Sequence, residues 1–169
     1  MLVEVMSRVV KSRLLYSLAM VKDLIAKIKH YRQVVKRNML MYREFLEKAR
    51  YVDPSRVSSV KRDLQALEYL DKHLDRISLF LESIATRLET LIIANDIALS
   101  AALLKNLVTE LKRCSAYKVP FIGVTIDKLD ELSREIQSST KVLVREGGMA
   151  VSSEARKIVE EAKKVAGLG

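Results

Sequence analysis

From Leu14 onward the apolar residues return every seven positions: Leu14, Val21, Ile28, Val35 and Tyr42 form one row, with Leu18, Ile25, Met39 and Leu46 on the same side. A row of that period is a stripe along one face of an α-helix, and another helix must cover it. A second pattern follows, with Val60, Leu67, Leu74, Leu81 and Leu88 in one heptad position and Leu70, Ile77, Ile84 and Leu91 in another. This is a coiled-coil seam. Between the two, Asp53-Pro54 reads as a helix N-cap followed by proline at the first helical position, where its missing amide is harmless. Helices are therefore expected over about 3–51 and 54–116. At about 1.5 Å per residue the first spans roughly 70 Å and the heptad part of the second roughly 60 Å, so a short turn at Asp53 folds them into a long antiparallel hairpin.

Beyond the hairpin the punctuation is Pro120 with Gly123, then Gly147-Gly148. Thr125 and Asp127 suit a helix start, the acid lying at the positive end of the dipole, and Ser152, Ser153 and Glu154 suit another. Helices are expected over about 125–146 and 153–166. The fold class is all-α: residues 1–119 form a basic helical hairpin core, and residues 120–169 form smaller C-terminal helices that pack on it and regulate it. The sole strand candidate, Val119 to Ile126, contains Pro120 and Gly123 and reads as a connector. From Ile92 to Val108 apolar side chains appear on every side of the helix, so this part needs more than one neighbour. Ile92, Ile93, Ile97, Leu103, Leu104 and Leu107, with the break at Pro120 and Gly123, are the candidate self-assembly and switch residues.

The run from Leu91 to Leu104 is broken by Asn95 and Asp96 and falls short of the roughly 20 residues of a bilayer span. The N-terminal run from Leu14 to Val21 is followed at once by Lys22 and Asp23, with no small-residue cleavage site, and is read as mature protein. Cys114 is the single cysteine, which rules out an internal disulfide and suits a reducing compartment.

Charge adds a partner. The 169 residues hold 30 Lys and Arg against 21 Asp and Glu, a formal charge of +9. Residues 1–52 carry 12 basic and 4 acidic side chains, whereas residues 120–169 carry 8 of each. Within the first helix Lys22, Lys29, Lys36, Arg43 and Arg50 recur every seven residues, with Lys27 and Arg32 nearby. Only Asp23, Glu44 and Glu47 lie in the same stretch, so the stripe reads as a free line of cations. Five such groups against an anionic membrane would contribute roughly 5 kcal/mol before ordering costs. Leu2, Val5, Met6 and Val9 share one side of the first helix and form a second candidate membrane contact, or else extend the core stripe. The same cations would attract nucleic acid, but no recognition motif accompanies them. A third reading is a passive coiled-coil scaffold with a solvated basic face.

No enzyme is expected. In DKHLD, His73 is offset about 200° from Asp71 and Asp75 on a helix, so the three do not converge. No phosphate-cradling glycine loop, nucleophile elbow or histidine pair at ligand spacing is present, and no cofactor or metal is expected.

Four stretches together resemble the ESCRT-III family, most closely its archaeal cell-division branch of CdvB type. They are KIKHYRQVVKRNMLMYREFLEKAR in the first helix, LEYLDKHLDRISLFLESIATRLETL in the second, VPFIGVTIDKLDELSREI around Pro120, and SSEARKIVEEAKKVA near the end. The resemblance covers most of the chain from Val21 to Ala166. It implies a cytoplasmic membrane-remodelling subunit, peripheral on the inner face of the cell membrane, that switches between a closed monomer and an open form. The open form polymerises with itself and paralogous subunits in cell division or membrane scission. An AAA ATPase is a further partner the family implies, although the tail shows no evident recruiting motif.

Overall fold

The computed structural model describes residues 2–49, 54–141 and 148–168, apart from the side chains of Val3, Gly148 and Met149. Five α-helices and one 3₁₀ turn account for nearly all of them: α1 (Leu2–Lys48), α2 (Pro54–Ile93), α3 (Ile97–Arg113), the 3₁₀ turn (Ser115–Lys118), α4 (Pro120–Thr140) and α5 (Gly148–Ala166). The chain is all-α over these residues. The Asp53 cap and the segment Arg50 to Asp53 lie outside the described residues, but α2 does begin at Pro54.

Both heptad rows become core. Leu14, Val21, Ile28 and Val35 of α1 are buried, as are Leu74, Ile77, Leu81, Ile84 and Leu88 of α2. The ion pairs between the two helices set their direction. Lys22 meets Glu89, Lys29 meets Glu82 and Arg43 meets Glu68, so numbers fall on α2 as they rise on α1, and the helices run antiparallel. Against α1, α4 also descends, with Tyr31 edge-on to Phe121, Lys27 on Thr125 and Arg13 on Ser139. Around the bundle each helix touches the next in the order α1, α2, α5, α3, α4, and α4 closes the ring on α1.

The ring covers only part of the two long helices. No described residue of α2 before Leu74 is fully buried, whereas nine are from Leu74 on. The end of α1 and the start of α2 thus project as a two-helix arm. A helix with one neighbour hides only a narrow stripe, which is why Val60, Leu64, Leu67 and Leu70 stay half-buried there.

Several boundaries differ from those the sequence suggests. The helix expected over 54–116 is broken at Asn95, which adopts a left-handed φ of 60°. The Asp96 amide donates to Leu91 O at 2.9 Å and the Asn95 amide to Ile92 O at 3.1 Å, a Schellman stop with asparagine in the position glycine usually fills. Asp96 then caps α3, its carboxylate accepting from the Leu99 amide at 3.2 Å. One dipeptide ends a helix and starts the next. At the other end α3 stops at Arg113, and Ser115 to Lys118 form the 3₁₀ turn.

Helix α4 starts at Pro120, not Thr125: Val119 is extended, as a residue before proline prefers, and proline takes the first turn. Its end at Thr140 precedes residues 142–147, which lie outside the described residues. Helix α5 starts at Gly148, ahead of the Ser152 and Ser153 cap signal, and it ends on a second Schellman stop at Gly167, φ 76°. Helix α1 runs from Leu2 to Lys48, against the expected 3–51.

Gly123 explains why the 3₁₀ turn can lie so close to α4. A Cβ built there would stand 2.5 Å from the Tyr117 carbonyl oxygen, a backbone atom that moves only with the turn. Gly123→Ala is expected to cost about 1–3 kcal/mol from forced repacking, partly offset by the better helix propensity of alanine. Thermal denaturation checks this; a melting temperature equal to or above wild type would show that the turn yields freely.

Candidate lipid-facing surface

The heptad cations do not form a free line. Lys22 pairs with Glu89 at 3.6 Å, Lys29 with Glu82, and Arg43 with Glu68 at 3.2 Å. Arg32 is held twice, by Asp71 and Asp75 at 2.7 Å each. Lys27 pairs within its own helix with Asp23 at 2.9 Å and donates to the Thr125 hydroxyl at 3.0 Å. Lys36 alone among the described members of the predicted stripe is exposed without an ion-pair partner, and Arg50 lies outside the described residues.

The reason is a second heptad of opposite sign. Glu68, Asp75, Glu82 and Glu89 recur every seven residues on α2, opposite Arg43, Lys36, Lys29 and Lys22 in antiparallel register. Positions that flank an apolar seam face the flanking positions of the partner helix. The expectation that the stripe lacks acidic partners counted only neighbours within α1; the partners come from α2. Asp75, the rung facing Lys36, is taken instead by Arg32 from one turn away. The same contacts answer the DKHLD motif: Asp71 and Asp75, four apart on one helix face, grip Arg32.

His73 points elsewhere. Its ring stacks on Tyr69 with centroids 6.3 Å apart, and its Nε2 is buried without a hydrogen-bond partner. Burial, and secondarily the Arg76 charge, push its pKa below the ordinary value.

The apolar N-terminal set divides. Leu2, Val5 and Val9 are exposed, while Met6 is half-buried and turns inward. The three do not extend the core row. Of the thirteen exposed large hydrophobic residues among the described residues, seven belong to α1: Leu2, Val5, Val9, Leu15 and Tyr16 near its start, and Leu40 and Met41 toward its end. All project away from the buried row of Leu14, Val21 and Ile28. Leu2 is 76% exposed and Met41 65%. This outer face lies between the side that meets α2 and the side that meets α4, and no described element covers it. The sequence pattern points to its first part, Leu2, Val5 and Val9; a count of apolar positions on the third side of α1 would add Leu15, Tyr16, Leu40 and Met41.

Cations do remain free on the arm. Lys36, Arg37 and Lys48 of α1 and Arg56, Lys61, Arg62 and Lys72 of α2 are exposed and unpaired among the described residues, against the unpaired acids Glu44, Glu47 and Asp63. Arg8 adds another beside the N-terminal strip. No helix is long and apolar enough to cross a membrane among the described residues.

The proposed switch residues are mostly core. Ile92, Leu103, Leu104 and Leu107 are buried, Ile97 is half-buried, and Ile93 is 73% exposed at the α2–α3 elbow. Pro120 opens α4 at the surface, and Gly123 lies against Tyr117. Cys114 donates to the Glu110 carbonyl at 3.3 Å, and burial, with the Glu110 charge, raises its pKa, which keeps it a thiol.

Comparison with protein-family models, with curated proteins and with solved structures finds no match for this chain.

Two outcomes are expected. In a double-mutant cycle on Arg32→Ala and Asp71→Ala, each single change should cost about 1–2 kcal/mol, because Asp71 is largely shielded, and the coupling should be of similar size. Urea denaturation measures it, and a coupling near zero would reduce the contact to an ordinary solvated pair. The depressed His73 pKa means that the unfolded chain binds a proton there before the folded one. Stability should therefore fall as pH drops below the unfolded value of about 6.5, before the carboxylates titrate. His73→Gln should flatten the slope of unfolding free energy between about pH 6.5 and 5, and an unchanged slope would remove His73 as its source.

Proposed function

We propose that this chain is a membrane-remodelling subunit of ESCRT-III type, peripheral on the inner face of the cell membrane. In this reading it lies on anionic lipid along α1 and polymerises with copies of itself and with paralogous subunits. The observation that carries the reading is the bare outer face of α1, with apolar side chains at the N-terminal end and unpaired cations toward the arm. Exposed apolar side chains at one end of a helix, with cations further along the same helix, are what an interfacial helix presents to headgroups. Each cation near an anionic surface contributes on the order of 1 kcal/mol, so Arg8, Lys36, Arg37 and Lys48 together supply roughly 4 kcal/mol before ordering costs. One copy then binds weakly, and a polymer of aligned copies binds firmly through effective concentration.

The antiparallel pair α1 and α2 acts as a rigid hairpin in this reading, and the ring closed by α3, α4 and α5 is the monomeric state. Straightening at Asn95 would join α2 and α3 into the continuous helix that the apolar pattern over 54–116 favours. The surfaces of Leu103, Leu104 and Leu107 would then be free for another copy. Both packings bury the same side chains, which is the condition for a switch with a small energy gap.

Co-sedimentation with anionic and neutral vesicles tests the lipid contact, with duplex DNA at matched salt as the competing ligand. Anionic vesicles should retain the wild type, and Val5→Asp with Val9→Asp, or Arg37→Glu with Lys48→Glu, should each weaken retention about tenfold. Electron microscopy of the coated vesicles should show filaments. Binding to DNA with no response to lipid would reject the reading in favour of a nucleic-acid-associated helical protein, and binding to neither would leave a passive scaffold.

A further inference from the structure

Between α3 and α4 lies an open groove of about 600 Å³, with no residue of α1 or α2 in its lining. Five cations line it: Lys105, Lys112 and Arg113 from α3, Arg134 from α4, and Lys141 at the end of α4. A single carboxylate, Asp130, lies among them. It accepts from Lys112 at 2.6 Å and from Arg134 at 3.2 Å, so two cations share one counter-charge. Arg113 reaches Glu110 on its own helix at 3.6 Å, and Lys105 and Lys141 have no ion-pair partner among the described residues. The balance inside the groove is strongly positive.

We propose that this groove is a binding site for an oligophosphate, a small anion carrying two or more linked phosphate groups. The argument is one of spacing and charge. Lys105 and Arg113 are eight residues apart on α3, about 12 Å along the axis, and because α4 runs antiparallel, Lys141 lies toward the Lys105 end and Arg134 toward the Arg113 end. One orthophosphate cannot meet both ends, whereas a short phosphate chain can run between them. A concave site with walls of one sign concentrates anions more than a flat surface does. The two arginine side chains are 72% and 77% exposed, and each holds one carboxylate, which leaves further guanidinium N–H donors for phosphate oxygens. Ordinary solvation accounts for isolated surface lysines, but not for five cations from two helices lining one groove that holds a single carboxylate, shared by two of them.

A ligand held by both walls would also tie α4 to α3. It would bind the closed ring in preference to any state in which those helices separate, and so stabilise the ring by mass action. The groove shares no residue with the outer face of α1. The proposal therefore stands or falls independently of lipid binding by α1.

The test is calorimetric titration of the full chain with inorganic tripolyphosphate and, separately, with orthophosphate at equal ionic strength. Tripolyphosphate should bind at least about tenfold more tightly and should raise the melting temperature. Lys105→Glu with Lys141→Glu, two exposed substitutions away from the Asp130 pairs, should weaken it about tenfold or more, while Lys61→Glu with Arg62→Glu on the arm should change it less than about twofold. Equal weakening by the two pairs, or no preference over orthophosphate, would overturn the site. Vesicles bearing a polyphosphorylated inositol lipid, set against anionic vesicles of equal surface charge without it, separate the two sources of the ligand. If this lipid adds retention that the groove pair loses, the phosphates belong to a lipid headgroup; if it adds none, or adds retention that the groove pair keeps, they belong to a soluble molecule.

Discussion

The antiparallel seam between α1 and α2 is the constraint from which the other features follow. Its apolar rows exclude water, and on one side it carries a ladder in which Lys22, Lys29 and Arg43 meet Glu89, Glu82 and Glu68. Each exposed rung contributes little by itself, since surface ion pairs are screened and restrict long side chains. Nor do the rungs by themselves fix the register, because both charge rows repeat every seven residues and a slide of α2 by one heptad would again set cation against acid. Arg32 breaks that degeneracy: it is held by Asp71 and Asp75 together, and after such a slide Ser78 or Leu64 would stand in the place of Asp71.

Because α2 takes one side of α1 and α4 takes another, the third side is where α1 can do anything other than fold. The cations directed at α2 serve alignment. Those left over, Lys36, Arg37 and Lys48, lie toward the arm, and the exposed apolar residues lie mainly toward the N-terminus. The helix thus has a division along its length as well as around its circumference. Any surface role must use residues that the fold does not consume, and that separation is what makes mutational tests of binding possible without unfolding.

The elbow at Ala94 to Asp96 governs how the smaller helices reach the seam. Asn95 holds a left-handed backbone at a cost of roughly 1 kcal/mol that asparagine tolerates better than most residues, and Asp96 caps the helix that follows. Turning back there places Leu103, Leu104 and Leu107 in the ring interior. A helix that is apolar all round can be satisfied by folding back in this way or by contact with another chain. The sequence between Ile92 and Val108 is compatible with both, and the capping residues favour the first.

Periodicity alone carries the helical class, the first long helix and the identity of most core residues, since a row repeated every seven positions has only one face on which to lie; the Asp53-Pro54 pair adds the start of α2. Pro120 is legible as a boundary, although Thr125 and Asp127 compete with it as a helix start, and Asn95 shows in the sequence only as an interruption of apolarity, so the left-handed turn that parts α2 from α3 is not legible there. The destination of the cations was not legible from α1, because an ion pair between helices depends on their direction and axial offset, and only the packed structure sets these. The acidic heptad of α2 was visible, but nothing local says which row it faces. The α3–α4 groove is a purely tertiary product: Lys105, Lys112, Arg113, Arg134 and Lys141 are scattered over two helices, and only antiparallel packing brings their charges together.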